Sequence, residues 1–336
     1  MAMAAGEQVR KFLKVLGMIA VLAVAAVALA WWQYLRVEPM APPPLPGSVQ
    51  AGSLEHAGRS RSWIAYVPAA RPPDLALVLI LHGSLGSGER MRTLTRYGFD
   101  LLAERYGFIA VYPDGYQQHW NDCRGGASYA ANLENIDDVG FLRALVQRLV
   151  DDQGVNPSRV FATGFSNGGQ MAYRLGLEAP DLVAGIAAMA ASLPVPANID
   201  CQPLGKAVAT LVMNGTEDPV NPYAGGLVEA FGDASRGEVQ SSIATASYWA
   251  ELAGYPGGGV QREWPRRDPG DPTAVRSVEW SAAGRVPVSL VTIEGGGHSI
   301  PHPVLNLPRI LGPTSHQLDG PEVIWDFFSG AAAAPR

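Results

Sequence analysis

Short apolar runs alternate along this chain with longer stretches in which apolar residues recur every third or fourth position. Residues 75–81 (LALVLIL) are apolar throughout, as a strand covered on both faces requires. Residues 108–112, 160–163, 183–188, 208–213 and 288–293 have the same character, and 62–67 alternates like an early strand. Between them, 89–105, 139–152, 169–177, 239–252 and 322–328 carry helical spacing. Strands alternating with helices predict an α/β domain with a mostly parallel sheet and helices on both faces. Ligands bind such sheets beyond the carboxyl ends of the strands. The residues directly after each strand therefore matter most.

The N-terminal segment breaks the pattern. Arg10, Lys11 and Lys14 precede an uncharged apolar run over 15–32, and Arg36 follows it. A basic flank before such a run predicts a secretory signal or a membrane anchor within residues 1–38, with the rest of the chain outside the cytoplasm. Ala28-Leu29-Ala30 fits a small-x-small cleavage site, so a cleaved signal and a retained anchor both stay open. Residues 39–47 hold Pro39, Pro42, Pro43, Pro44 and Pro46 and predict an extended linker. Residues 48–336 are then expected to form one folded domain.

Composition narrows the function. The net charge is -6 and no long basic run occurs, which argues against nucleic acid as a partner. Membrane contact is expected only through the N-terminal segment, and nothing in the chain sets an oligomeric state. The only cysteines, Cys123 and Cys201, cannot form a metal site by themselves. In an exported domain a disulfide between them is expected, with two free thiols as the alternative.

Gly164-Phe165-Ser166-Asn167-Gly168 matches Gly-x-Ser-x-Gly between the strand at 160–163 and the helix at 169–177. That is the setting of a nucleophile elbow. Glycines relieve crowding at the tight turn, and the helix directs its N-terminus at developing negative charge. A serine hydroxyl needs a base. His298 closes the glycine-rich run 294–298 after the last apolar strand, at the correct sheet edge. His302 competes but lies between Pro301 and Pro303, and the two histidines could instead be metal ligands, with no third ligand in evidence. The imidazole needs an acid. Asp218 follows the strand at 208–213, with Glu217 as the alternative. The chain order Ser166, Asp218, His298 is the order of α/β-hydrolases. An oxyanion would be held by the backbone N–H of Asn167 and a second N–H from the loop 82–88, for which Ser84 is the choice. His82 reads as a loop-shaping residue.

At this point the chain resembles the polyhydroxybutyrate-depolymerase-type esterases, which include feruloyl and acetylxylan esterases. The similarity runs from about residue 60 to residue 328. It is carried by LHGS (81–84), YPDG (112–115), HWNDC (119–123), DDVGFL (137–142), GFSNGGQM (164–171), NGTEDPV (214–220) and GGGH (295–298). The resemblance implies Ser166 as nucleophile, Asp218 as acid and His298 as base, and it favours Asp218 over Glu217. The chain departs from the family at Asn214, where histidine is usual, and at Ile300, where an aromatic residue is common. Trp120 is expected as a substrate-contacting wall, with a core tryptophan as the alternative. Asp137 and Asp138 are expected at a helix N-terminus. A Cys123–Cys201 bridge would brace both site loops.

The resulting expectation is an exported serine esterase that needs no metal or organic cofactor. Its substrates would be hydroxybutyrate oligomers, feruloyl or acetyl esters, or other small esters. With no polymer-binding module visible after the domain, soluble esters are expected over crystalline polymer. A serine peptidase, an acyltransferase and an inactive envelope binding protein are the rivals.

Overall fold

In a computed structural model, which describes residues 2–34, 40–230 and 232–333, the apolar runs become the interior strands of a ten-stranded sheet. The strands in chain order are β1 (Ser48–His56), β2 (Arg59–Val67), β3 (Ala76–Leu81), β4 (Phe108–Pro113), β5 (Val160–Phe165), β6 (Gly185–Met189) and β7 (Ala209–Gly215). A small pair, β8 (Gly226–Leu227) and β9 (Glu238–Val239), stands apart from the sheet, which is completed by β10 (Val260–Glu263), β11 (Ala274–Trp280) and β12 (Val288–Glu294). The spatial order is β1-β2-β4-β3-β5-β6-β7-β12-β11-β10. Every pairing from β4 through β12 in that order is parallel, and the pairings toward either edge are antiparallel. This is the expected α/β-hydrolase architecture.

The helices are α1 (Ala2–Tyr34), α2 (Gly88–Leu94), α3 (Gly98–Tyr106), α4 (Ala130–Leu133), α5 (Asp138–Gln153), α6 (Asn167–Glu178), α7 (Ser242–Leu252) and α8 (Gly320–Ala333). Strand alternation divides the core between the two faces of the sheet. Leu77, Leu79 and Leu81 pack with Phe141 and Leu145 of α5, Met171 of α6 and Trp249 of α7. Val78 and Ile80 pack with Phe99 and Leu102 of α3 and with Ile324 and Phe328 of α8. Truncating one such leucine to alanine costs about 2–5 kcal/mol.

Local chemistry sets several boundaries. Asp137 caps α5, its side chain accepting from Gly140 N at 2.8 Å, and left-handed Gly154 ends that helix. Asp138 instead goes inward: its carboxylate accepts from Arg61 at 2.6 Å and from Asn121 N at 2.7 Å, fully buried. The helix expected over 89–105 is divided into α2 and α3, because Arg96 and Tyr97 take positive φ (52° and 58°). The strands β1, β10 and β11 did not stand out in the sequence. β1 and β10 are the edge strands, exposed or half-buried, and β11 beside β10 alternates half-buried with buried positions, so polar residues interrupt the apolar signal in all three.

The apolar N-terminal segment forms α1, and residues 40–47 form neither helix nor strand. Side chains in α1 are described from Leu13 to Leu29. Among the described residues, no helix is long and apolar enough to cross a membrane. Residues 35–39, the end of that segment and the start of the linker, lie outside the described residues.

Candidate active site

Four strands deliver the expected residues to one rim. Ser84 follows β3, Ser166 follows β5, Asp218 follows β7 and His298 follows β12. Because β3 neighbours β5, and β12 neighbours β7 one strand further on, the carboxyl ends of these strands converge.

Ser166 takes φ 56° and ψ −118°, between β5 and α6. A non-glycine residue at positive φ is strained, and here the turn holds it. The flanking glycines are required by space. A Cβ on Gly164 would come within 2.2 Å of Gly168 backbone, and one on Gly168 within 2.2 Å of the Leu81 carbonyl oxygen. The elbow is thus packed against the end of β3, the strand that carries the Ser84 loop. A Cβ on Gly83 would lie 3.5 Å from the Ser166 Cβ.

His298 and Asp218 meet across a separation of 80 residues. The buried His298 Nδ1 and Asp218 Oδ2 are 2.8 Å apart. A carboxylate only accepts, so Nδ1 carries the proton and Nε2 is left with its lone pair. Asp218 Oδ1 accepts from Val220 N and Asn221 N, both at 2.8 Å, which fixes the carboxylate. The His298 ring packs on Phe165, centroids 4.9 Å apart. Ser166 and His298 line a single cavity of about 330 Å³ together with Ser84, Tyr129 and Gln170. Glu217 is exposed and points to no such pairing. His302 is not a rival base. Its Nδ1 accepts from Val304 N and Leu305 N at 3.2 Å each, and burial pushes its pKa down to about 4. Among the described residues no group of His, Cys, Asp and Glu could hold a metal ion.

The backbone N–H groups of Ser84 and Asn167 donate to no group among the described residues. Around them the scaffold is tightly bonded. The Asn167 side chain accepts from Trp120 N at 2.8 Å and donates to the Trp120 carbonyl at 3.1 Å and Asp122 Oδ2 at 2.6 Å. The Trp120 indole donates to the His82 carbonyl at 3.0 Å. His82 Nε2 accepts from Gly115 N at 2.9 Å, so Nδ1 carries the proton and donates to the Gly83 carbonyl at 2.7 Å. Burial pushes the His82 pKa below the ordinary histidine value and keeps the ring neutral. His82 shapes the loop, as its position in the sequence suggested.

The expectation of a substrate-contacting wall at Trp120 is corrected. Its side chain is fully buried, packs tilted against His82 with centroids 5.1 Å apart and is absent from the cavity lining. The wall is formed instead by Tyr129, Leu85, Val228 and Leu311, with Arg90, Arg124 and Arg236. Arg90 lies on α2 and the others lie in connecting segments, and none belongs to a motif, although Leu85 directly follows Ser84 and Arg124 directly follows Cys123. The Cys123–Cys201 disulfide is formed, with Cα atoms 5.0 Å apart, and it ties the Arg124 loop to the segment before β7. Asn214 and Ile300, the two departures from the family pattern, are both buried and outside the cavity lining. The Asn214 side chain accepts from Ala191 N at 3.0 Å and donates to Ser242 Oγ at 2.8 Å. It shapes the sheet edge behind the site.

A family model described as Phospholipase/Carboxylesterase matches residues 114–235. The chain is 28% identical to "Putative esterase NocK" of Nocardia uniformis subsp. tsuyamanensis, over 87% of this chain and 93% of that protein. It is 27% identical to feruloyl esterase B of Piromyces equi, over 71% of this chain and 42% of that protein. It is 33% identical to the poly(3-hydroxybutyrate) depolymerase of Ralstonia pickettii, over 37% of this chain and 27% of that protein. The chain thus spans less than half the length of the latter two. Among solved structures, an acetyl xylan esterase from Aspergillus awamori shares the fold with a TM-score of 0.50 and 17% identity, covering 80% of this chain and 95% of that chain.

Fold and relatives together define a carboxylic ester hydrolase of the α/β-hydrolase fold. Within that class, the similarity expected from the sequence motifs is borne out: its relatives include feruloyl esterases, a polyhydroxybutyrate depolymerase and acetylxylan esterases.

Proposed function

We propose that the chain is an exported serine esterase in which Ser166, His298 and Asp218 form the catalytic triad. The observation that carries this reading is the pairing of His298 with Asp218 in a cavity that Ser166 also lines. Ser166 attacks the ester carbonyl while His298 Nε2 takes its proton. The oxyanion is held by the free N–H groups of Ser84 and Asn167. His298 then protonates the leaving alcohol, and the acyl group stays on Ser166. Water enters, His298 removes its proton, and the acid departs. Asp218 keeps the imidazole in the working tautomer and stabilises its charged form.

The substrates are small esters, such as hydroxybutyrate oligomers, feruloyl or acetyl esters, a reading supported by the cavity of about 330 Å³ and by the named activities of the relatives. Export rests on the apolar segment after Arg10, Lys11 and Lys14 and on the disulfide, which persists in oxidising compartments. Ser166→Ala is expected to abolish p-nitrophenyl ester hydrolysis and fluorophosphonate labelling; substantial turnover in that variant refutes the assignment. A panel of short esters, feruloyl esters, hydroxybutyrate oligomers and peptides then separates esterase from peptidase or acyl transferase. Failure of the wild-type serine to label in folded protein would favour a binding protein.

A further inference from the structure

Among the described residues, the cavity that holds Ser166 is lined by Arg90, Arg124 and Arg236 and by no aspartate or glutamate. The chain as a whole carries a net charge of -6, so this concentration of cations is local. Arg124 Nη2 donates to the Tyr129 hydroxyl at 3.3 Å, and Arg236 Nε donates to the same oxygen at 2.7 Å. Two guanidinium groups therefore converge on one phenol oxygen. Like charges brought together are unfavourable unless an anion sits between them.

The nearby carboxylates offset this only in part. Asp122, fully buried, pairs with Arg124 Nη2 at 2.5 Å from beneath. Burial works against the Arg124 charge, and Asp122 and Tyr129 more than offset it, so the guanidinium stays cationic. Arg124 is only 3% exposed, yet it lines the cavity and its Nη1 donates to nothing among the described residues. Arg236 pairs with Asp233 at 3.2 Å, whose side chain is half exposed and screened by water. Arg90 donates to the Leu85 carbonyl at 2.9 Å and has no acidic partner among the described residues. Ser84 Oγ, beside the proposed oxyanion donor, lies 3.3 Å from the Tyr129 hydroxyl. The cations thus border the reacting centre.

The structure assigns a carboxylate-binding subsite to Arg236, Arg124, Tyr129 and Arg90. On this basis, and given the proposed esterase reaction, the enzyme selects esters that carry a second, ionised carboxyl group. A planar guanidinium matches a carboxylate with paired N–H donors, and a cavity lined by one sign of charge concentrates the opposite ion. A hydroxy-acid oligomer with a free terminal carboxylate has this chemistry; a methyl or glycosyl ester of a neutral acid does not.

Two matched pairs test the inference on the full chain. p-Nitrophenyl hemisuccinate against p-nitrophenyl butyrate places the charge on the acyl side. 3-Carboxyphenyl butyrate against phenyl butyrate places it on the alcohol side. In one of the pairs the carboxylate is expected to raise kcat/KM about tenfold or more. That preference should collapse in the Arg236→Gln, Arg90→Gln double variant, return in part with lysine at both positions, and weaken between about 0.05 and about 0.5 M salt. Equal turnover within both pairs, or a preference that survives the double substitution, overturns the subsite. Silence on every ester would overturn the esterase reading instead. Calorimetric titration of Ser166→Ala protein with glutarate then decides the subsite alone: binding lost with Arg236→Gln supports it, and no binding up to about 50 mM rejects it.

Discussion

Asp218 divides its carboxylate between two tasks: Oδ2 holds the imidazole of His298 at 2.8 Å, and Oδ1 accepts from the backbone of Val220 and Asn221. The second set of bonds fixes the first. Asp218→Asn keeps the shape and reverses the donor at one position, which favours the wrong imidazole tautomer. The expected result is a fall in kcat of about 10³–10⁴-fold with little change in KM. Glu217→Gln, at an exposed neighbour, should stay within about twofold of wild type. Steady-state kinetics on p-nitrophenyl butyrate compares the two, and equal losses would contradict the assignment.

Trp120 braces the loop after β3 through its bond to the His82 carbonyl. Trp120→Phe keeps an aromatic ring in the core but leaves that carbonyl without its buried donor. A stability loss of about 1–3 kcal/mol is expected in denaturant titration. Activity should fall in kcat, because the loop that carries Ser84 loosens. A rise in KM alone would restore the substrate-wall reading.

The disulfide joins residues 78 positions apart and anchors the loop that carries Arg124. Cys201→Ser, or reduction of the wild-type protein, should lower stability by about 2–4 kcal/mol. Urea midpoints with and without reductant measure this. Unchanged midpoints would show that the bridge does not constrain the unfolded chain.

His302 is held neutral by burial, its pKa down to about 4 from 6.5, and its Nδ1 accepts two backbone N–H bonds. Its folded value lies below its unfolded one. Its contribution to stability is therefore complete above pH 6.5 and is lost as pH falls toward 4. His302→Asn offers an acceptor that does not titrate. The gap in Tm between wild type and this variant should shift in favour of the variant between pH 7 and pH 4; a constant gap would exclude the linkage.

Much of the architecture was legible in the chain because interior strands need apolar residues on both faces. Residues 75–81 and 160–163 carry that demand in their composition, and β3 and β5 appear there. The elbow was legible for a similar reason: the backbone at Ser166 tolerates only glycine at positions 164 and 168. The edge strands were not, since solvent on one side relaxes the demand. The break between α2 and α3 was also missed, since Arg96 and Tyr97 are not residues that announce positive φ.

The sequence by itself determined which residues can carry nucleophilic chemistry and at which strand ends they stand, because steric and hydrophobic requirements there are local. The tertiary structure alone decided that Trp120 is a buried brace and that Arg90, Arg124 and Arg236 share a cavity with Ser166. Those residues come from a helix and loops far apart along the chain. Their proximity follows from how the strands are ordered in the sheet, and no local pattern encodes it.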